Sequence, residues 1–279
     1  MSPTLRPARQ DDVDRIAAWT RETFSWGDYI GEVLPEWIDD PSAHVLVSVD
    51  EDDVPVGVSR AEMLSPNEGW LSAARVHPDH RRRGIGAALN DDGVEWARSR
   101  GAQIVRLSID EENHAARAQV EKLGYRNTCV WLVGEIGVVG HLVRERDRLH
   151  PAISADADAG WQLWSASDLA RAGRELWAGN WRWRKAHRSD LDAALANHSL
   201  FQGAAGWVVA QPEGDTLQVK WLATDPADGP ALIQGILEVG RQASVRLVQV
   251  YIPDSGWSSE ALIREGFSIQ RLLIYAKSL

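Results

Sequence analysis

The stretch that most constrains this chain runs from Trp70 to Ser99. An apolar, strand-like segment (Trp70–Val76) leads into "HPDHRRRGIGAAL" (77–89), and that leads into a helix to about Ser99 with apolar positions at Ile85, Leu89, Val94 and Ala97. The order is strand, arginine-rich turn, Gly-x-Gly, helix. Such a turn aims several backbone N–H groups and a helix N-terminus at one spot, which suits a phosphate or pyrophosphate. Gly84 and Gly86 let an anion approach the backbone with no Cβ in the way. The side chains of Arg81, Arg82 and Arg83 add charge and fork-shaped donors. The competing reading is a surface turn with solvated arginines.

The rest of the chain is acidic. Its 279 residues carry a net charge of −10, which argues against general nucleic-acid binding. A hydrophobic content of 44% and a charged content of 25% are those of a globular protein, enough for one large or two ordinary domains. The one cysteine, Cys129, excludes an intrachain disulfide and a cysteine metal cluster, and its apolar run suggests a buried thiol. No metal site is expected. No run approaches a membrane span and the start has no apolar signal core, so a cytoplasmic protein without membrane contact is expected.

Two halves repeat one order. In the first, strands are expected at Thr4–Ala8, His44–Val49, Val56–Met63, Trp70–Val76, Ile104–Ile109 and Cys129–Val133. Helices are expected from Asp11 to about Phe24, at Gly84–Ser99 and at Asn113–Leu123, and 25–40 reads as a turn and then a broken helix interrupted at Pro35. Residues 144–160 lose apolar periodicity, and the boundary is placed there: 1–145 as one domain, 146–160 as linker, 161–279 as a second domain. In the second half strands are expected at Trp161–Trp164, Gly206–Ala210, Leu217–Ala223, Arg246–Ile252 and Ser268–Ala276. Helices are expected at Asp168–Trp177, Pro230–Gln242 and Ser258–Glu265. "EKLGYRN" (121–127) and "IREGFSI" (263–269) match at an offset of roughly 140 residues, a whole-domain duplication.

"RVHPDHRRRGIGAAL" followed by "RLSIDEENHAARAQVEKLGY" resembles motifs A and B of the GNAT N-acetyltransferase superfamily. Arg81-x-x-Gly84-x-Gly86, preceded by Val76 and Pro78, is similar to that family's acetyl-CoA pyrophosphate loop. Asn113, Ala116, Leu123, Gly124 and Tyr125 are similar to its motif B signature. The resemblance covers about residues 4–135. It implies an α/β (α+β) fold: a mixed twisted sheet, flanked by helices, whose two central parallel strands splay apart. It also implies acetyl-CoA as co-substrate, with pantetheine bonded to strand backbone near Ala74, Arg75 and Val76 and the pyrophosphate on Arg81–Ala87, Ile85 included. The second half resembles a degenerate GNAT-like domain. "WLATDPADGPALIQGILEVG" has a Pro and acidic residues where the phosphate donors belong, so an anionic ligand is not expected there. The tandem arrangement, with "SWGDYI…LPEWIDD", also resembles a subgroup that includes vertebrate histidine N-acetyltransferases.

Two departures bear on chemistry. Val120 stands where relatives often keep a Tyr that protonates the leaving thiolate, and Ser72 where they often keep a Glu base. The catalytic acid and base are therefore not identified. Glu62, Glu68, Glu135 and Tyr125 are the weak candidates, each with a competing reading as surface charge or core aromatic. On the acceptor side, Phe24, Trp26, Asp28, Tyr29 and Trp37 combine aromatics with an acid. That combination suits a small cationic amine, or else simple packing. "NWRWRKAHR" (180–188) reads as an interdomain or acceptor-side loop. The expectation is an N-acetyltransferase acting on a primary amine of a small molecule, amino acid or polyamine-like. The alternative is a non-catalytic acetyl-CoA-binding or sensing protein. The sequence leaves the amine and the oligomeric state open.

Overall fold

The structure is a computed structural model and describes residues 3–21, 23, 27–138 and 148–279. It divides into two compact units, Met1–Leu107 with Ala115–Arg126 and Ala276–Leu279, and Ser108–His114 with Asn127–Tyr275.

The first unit begins with β1 (Thr4–Pro7), α1 (Val13–Thr20) and α2 (Ile30–Asp39). The antiparallel strands β2 (Ala43–Val49), β3 (Pro55–Ser65) and β4 (Glu68–Val76) follow, with β1 paired to β2. Helix α3 (Ile85–Ser99) leads to β5 (Ile104–Asp110), parallel to β4, and then comes α4 (His114–Lys122). Side chains alternate across β2. Val45, Val47 and Val49 pack with Ile16, Ile30 and Leu34 of α1 and α2, while Leu46 packs with Ile85 and Leu89 of α3. The sheet therefore carries α1 and α2 on one face and α3 on the other. Helix α2 runs through Pro35 without the expected break, and α1 stops at Thr20 rather than near Phe24.

The second unit takes in β6 (Arg126–Gly137) from Asn127 on, β7 (His150–Pro151), α5 (Ser154–Ala166) and α6 (Asp168–Ala172). A separate hairpin, β8 (Leu176–Gly179) and β9 (Arg182–Lys185), precedes α7 (Arg188–Ala196). Then come β10 (Leu200–Gly203), β11 (Gly206–Glu213), β12 (Thr216–Ala223), α8 (Gly229–Gln242), β13 (Leu247–Pro253), α9 (Trp257–Arg264) and β14 (Ser268–Ser278). The order in its sheet is β14-β6-β13-β12-β11-β10-β7, with β12 and β13 parallel. Strand β6 is antiparallel to β13 over seven residues, Trp131 to Gly137, and so counts with this unit although it directly follows α4 in the chain.

Two local readings need correction. Trp161–Trp164 is helical, inside α5, because Ala157, Gly160 and Trp164 are buried at helical spacing and Gly160 sits against the Trp207 ring. The span expected as helix from Asp168 to Trp177 ends at Ala172. Arg174 and Glu175 then adopt positive φ, and the chain turns into β8.

In the first unit, β1 is tied to the turn before α1 by a forked pair. Arg6 donates to both carboxylate oxygens of the buried Asp12, at 2.7 and 2.9 Å, and the Arg9 N–H adds a third bond at 2.8 Å. Burial works to raise the Asp12 pKa, but the bonds from Arg6 and Arg9 outweigh it and hold the group below its ordinary 3.8. A depressed folded pKa gives stability that is complete above the unfolded value and lost as pH falls through the folded one. Asp12→Asn should therefore flatten the acid side of the stability profile below about pH 4, read by urea unfolding at pH 7 and pH 3.

Candidate active site

The centre of the first unit is the place where β4 and β5 part. They are in parallel register at only three positions, Glu68–Ile104, Gly69–Val105 and Trp70–Arg106. Beyond Trp70, β4 continues to Val76 with no further β5 partner among the described pairs. Its other edge is irregular too. Val58 pairs with Arg75 and Arg60 with Ser72, so β4 has one more residue than β3 across this step. Ala73 takes up the bulge with φ +59, a left-handed conformation that costs an alanine about 1–2 kcal/mol. Ala73 is buried and Ala74 exposed.

Past Val76, the turn is built to present N–H groups. Pro78–His80 forms one 3-10 turn, with the Asp79 N–H donating to His77 Nδ1 at 3.2 Å. Arg82 (φ +62) and Gly84 (φ +81) are both left-handed, which turns successive N–H groups to one side. Ile85 is buried with Leu46, Val56 and Leu89, and it pins the first turn of α3. The Ala88 N–H bonds back to the Gly84 carbonyl, so the N–H groups of Ile85, Gly86 and Ala87 lie in the first turn, ahead of any intrahelical acceptor. The arginines are exposed. Arg81 and Arg83 bond the carbonyls of Val76 and Asp79, which curls them over the turn. An ideal Cβ on Gly86 would lie 2.5 Å from Gln119 Nε2, so this α4 amide closes over the start of α3. Gln119 was invisible in the sequence because nothing local links α4 to α3. A cavity of about 350 Å³ adjoins the turn on the side of Asp50, Glu51 and Asp52. Its lining sets these carboxylates beside His80, Arg83 and Ile85 of the turn.

The remaining candidates fall as follows. Asn113 and Ala116 flank the start of α4, and Asn113 counts with the second unit. Tyr125 is buried, its hydroxyl accepts from Asn90 Nδ2 at 3.0 Å, and burial pushes its pKa up to about 12. Val120 faces the core. Glu68 is buried at the far end of β4 and bonds Arg106 and Ser65. It is about 20 Å of strand from Ala74. Glu62 lies on β3, bonded to Arg60. Glu135 is on β6 in the second unit and accepts from Gln249 Nε2 at 2.6 Å. Phe24 and Trp26 lie outside the described residues. Asp28 is fully shielded from water and pairs with Arg75 at 2.8 Å, and Tyr29 meets the Trp37 ring edge-on. Sequence reasoning passed over Arg60. It is buried directly across from Ser72, over the Trp37 ring at 4.9 Å and 3.3 Å from Asp40. Among the described residues, no group of three or more His, Cys, Asp and Glu is placed to hold a metal ion, and no helix is long and apolar enough to cross a membrane.

The second unit repeats this geometry with the openings filled. Strands β12 and β13 pair at four positions, Thr216–Leu247 to Val219–Val250, and a register shift leaves Lys220 bulged. The α8 N-terminus is capped by an indole: an ideal Cβ on Gly229 would lie 2.2 Å from Trp257 Cζ3. The turn of the β8–β9 hairpin, Asn180 (φ +50) and Trp181 (φ +60), donates its N–H groups to Gln218 Oε1 on β12 at 3.2 Å and Tyr251 Oη on β13 at 3.3 Å. The "NWRWRKAHR" run expected as a loop is thus largely a packed hairpin, with Trp183 fully buried.

Residues 13–125 match the model of the acetyltransferase (GNAT) family. The chain carries a GNAT-family domain. The match covers the first unit's parted strands, arginine turn and α3. A 60-residue stretch of the chain is 44% identical to an uncharacterized N-acetyltransferase of Methanocaldococcus jannaschii, covering 20% of this chain and 26% of that one. A stretch of 91 residues is 32% identical to a mycothiol acetyltransferase of Beutenbergia cavernae, covering 33% of this chain and 31% of that one. The matched stretches thus span about a third or less of these relatives. The fold of a GCN5-related N-acetyltransferase from Sphaerobacter thermophilus superposes with a TM-score of 0.70 at 17% identity, over 99% of this chain and 95% of that one. The fold is therefore that of GNAT proteins over 99% of the chain, mixed α/β with a large mixed sheet flanked by helices.

Gly84 is the residue on which the backbone path of this turn depends most. Nothing lies within 4 Å of a Cβ placed there, so Gly84→Ala meets no clash and costs only the left-handed backbone. Urea unfolding should show a loss of about 1–2 kcal/mol, and an unchanged midpoint would mean that the turn has rearranged.

Proposed function

We propose that the first unit binds acetyl-CoA and transfers its acetyl group to a primary amine of a small molecule by direct attack. The observation that carries this reading is the parting of β4 and β5 beside a bulged strand, next to a turn of free N–H groups and arginines. The pantetheine arm would take the unpaired edge of β4 near Ala74, Arg75 and Val76, and the pyrophosphate the turn Arg81–Ala87. The amine nitrogen forms a bond to the acetyl carbon as the carbon–sulfur bond breaks, and the ammonium proton leaves to water. Alignment of amine and thioester is worth on the order of 7–11 kcal/mol in favourable cases, while a positioned acid or base adds about 10²–10⁴-fold. Loss of the usual acid and base at Val120 and Ser72 is compatible with turnover on these magnitudes. Two domains, 1–145 and 161–279 joined by 146–160, remain the reading of the duplicated order, with the second serving structure.

A second reading, an acetyl-CoA sensor without turnover, is favoured by Arg60, whose buried guanidinium stands across from Ser72. Release of free thiol on mixing acetyl-CoA with a panel of amines separates the two. Thiol release with at least one amine supports the enzyme, and binding without release for every amine supports the sensor.

Calorimetry should find one acetyl-CoA per chain, because Trp257 covers the α8 N-terminus. Two equivalent sites would contradict that. Gly86→Asp would push the flexible Gln119 amide aside and set a carboxylate at the α3 N-terminus. It should abolish acetyl-CoA binding while the far-UV spectrum stays unchanged.

With no tuned base, the rate should keep climbing with pH toward the pKa of the amine itself. A plateau near neutrality would reveal a protein base. Substitution of Glu62, Glu68 and Glu135 by Gln, one at a time, would then locate it.

A further inference from the structure

The acceptor-side segment and the bulged strand are joined by one side chain. Arg75 follows the bulge at Ala73–Ala74. Its Nε donates to Asp28 Oδ2 at 2.8 Å, and its Nη1 turns back to the Ala74 carbonyl at 3.3 Å. The carboxylate it holds is wholly shielded from water, and Asp28 Oδ1 also accepts the Ile30 N–H at 3.2 Å, at the start of α2. The guanidinium lies 5.9 Å from the centre of the Tyr29 ring. A continuous chain of contacts therefore runs from the first turn of α2, through Asp28 and Arg75, to the carbonyl of the bulge.

We infer that Arg75 is a positioning residue: anchored on Asp28, it fixes the Ala74–Arg75 peptide so that the bulge backbone meets the thioester carbonyl. This rests on the reading of the first unit as an acetyl-CoA site. A left-handed alanine persists only where its surroundings over-determine it. The burial of Ala73 under α1 and α2 supplies one constraint, and the bond from Arg75 to the next carbonyl supplies the other. Arginine is the residue that can do this, because its fork spans two acceptors at once. A lysine in its place could neutralise Asp28 but would release Ala74. The same link ties the acceptor wall to the acyl group, so displacement of one is felt by the other.

The test compares the affinities of acetyl-CoA and of CoA, which differ only at the acyl group. CoA reports the phosphate turn together with the pantetheine contacts to β4 main chain, which Arg75→Lys retains. The ratio of the two reports the bulge, and simple loss of stability would lower both affinities together. The wild-type protein should prefer acetyl-CoA. In Arg75→Lys the CoA affinity should stay within about twofold, while the preference for acetyl-CoA falls about fivefold, the worth of one hydrogen bond. Where turnover is measurable, kcat should drop on the order of 10- to 100-fold, with a smaller change in the KM for acetyl-CoA. Asp28→Asn, which keeps an oxygen for Arg75, should retain most of the preference. Arg75→Leu alone would strand a buried carboxylate and risk unfolding. The double variant Arg75→Leu with Asp28→Leu removes both charges and should show the same lost preference. Wild-type preference retained in both Arg75→Lys and the double variant overturns the inference, as does a wild-type protein that binds the two ligands equally. A wild-type protein that binds neither overturns the acetyl-CoA reading itself, and the inference with it.

Discussion

Two parallel strands that stop pairing after three residues set the terms for the first unit. A buried backbone N–H or C=O without a partner is costly, so the edge of β4 beyond Trp70 has to be supplied with hydrogen-bond partners. A ligand with amide groups along its length is one way to supply them. The second unit packs a segment of its own chain at the corresponding place. There the β8–β9 turn brings main-chain N–H groups to side chains of β12 and β13, and Trp257 covers the helix end that would otherwise attract an anion. The two units thus differ where parallel strands part: β4 has no further β5 partner among the described pairs, while the β8–β9 turn packs on β12 and β13. The described differences are a glycine-arginine turn in the first unit and a tryptophan with a packed hairpin in the second.

The parts that were legible in the sequence are those whose cause is local. The anion turn announces itself because glycines, arginines and helix start are consecutive in the chain. Most strands of both sheets carry their own apolar runs, and the described strand ends fall within a few residues of those expected. The misread parts depend on distant partners. "WQLW" alternates like a strand, yet the burial of Ala157 and Gly160 makes it helix. The turn at Asn180–Trp181 carries no glycine, and its left-handed backbone is held by Gln218 and Tyr251, 38 and 70 residues away. The bulge at Ala73 has no sequence signature at all, since an alanine there looks like any strand residue. Arg75 and Asp28 are 47 residues apart, and neither periodicity nor motif connects them.

The face of the sheet under α1 and α2 holds the charges most relevant to the acceptor. Arg60 is taken up by Glu62 and Asp40, and Arg75 by Asp28. Arg60 also explains why Ser72 can be missing its carboxylate without leaving a simple vacancy for one. A glutamate at 72 would stand directly across from a buried guanidinium and pair with it, as opposite charges in register do. Paired that way it would be held ionised and would be a poor base. The loss of the usual base and the presence of Arg60 are therefore one arrangement rather than two.

The same compensation limits how an amine can be recognised. An ammonium that used Asp28 would have to compete with Arg75 for a carboxylate that has no exposed surface. Splitting a buried pair leaves an uncompensated charge, at a cost of about 3–5 kcal/mol. That exceeds what a single new ion pair near the surface returns, about 0–1 kcal/mol. Tyr29 and Trp37 are engaged in the same way, since the Arg75 and Arg60 guanidinium groups already lie 5.9 and 4.9 Å from their ring centres. A cation on this face, under the proposed reading, would therefore have to be held by shape and by main-chain acceptors rather than by a carboxylate or ring that is already paired. The carboxylates already there serve to keep Arg60 and Arg75 in place.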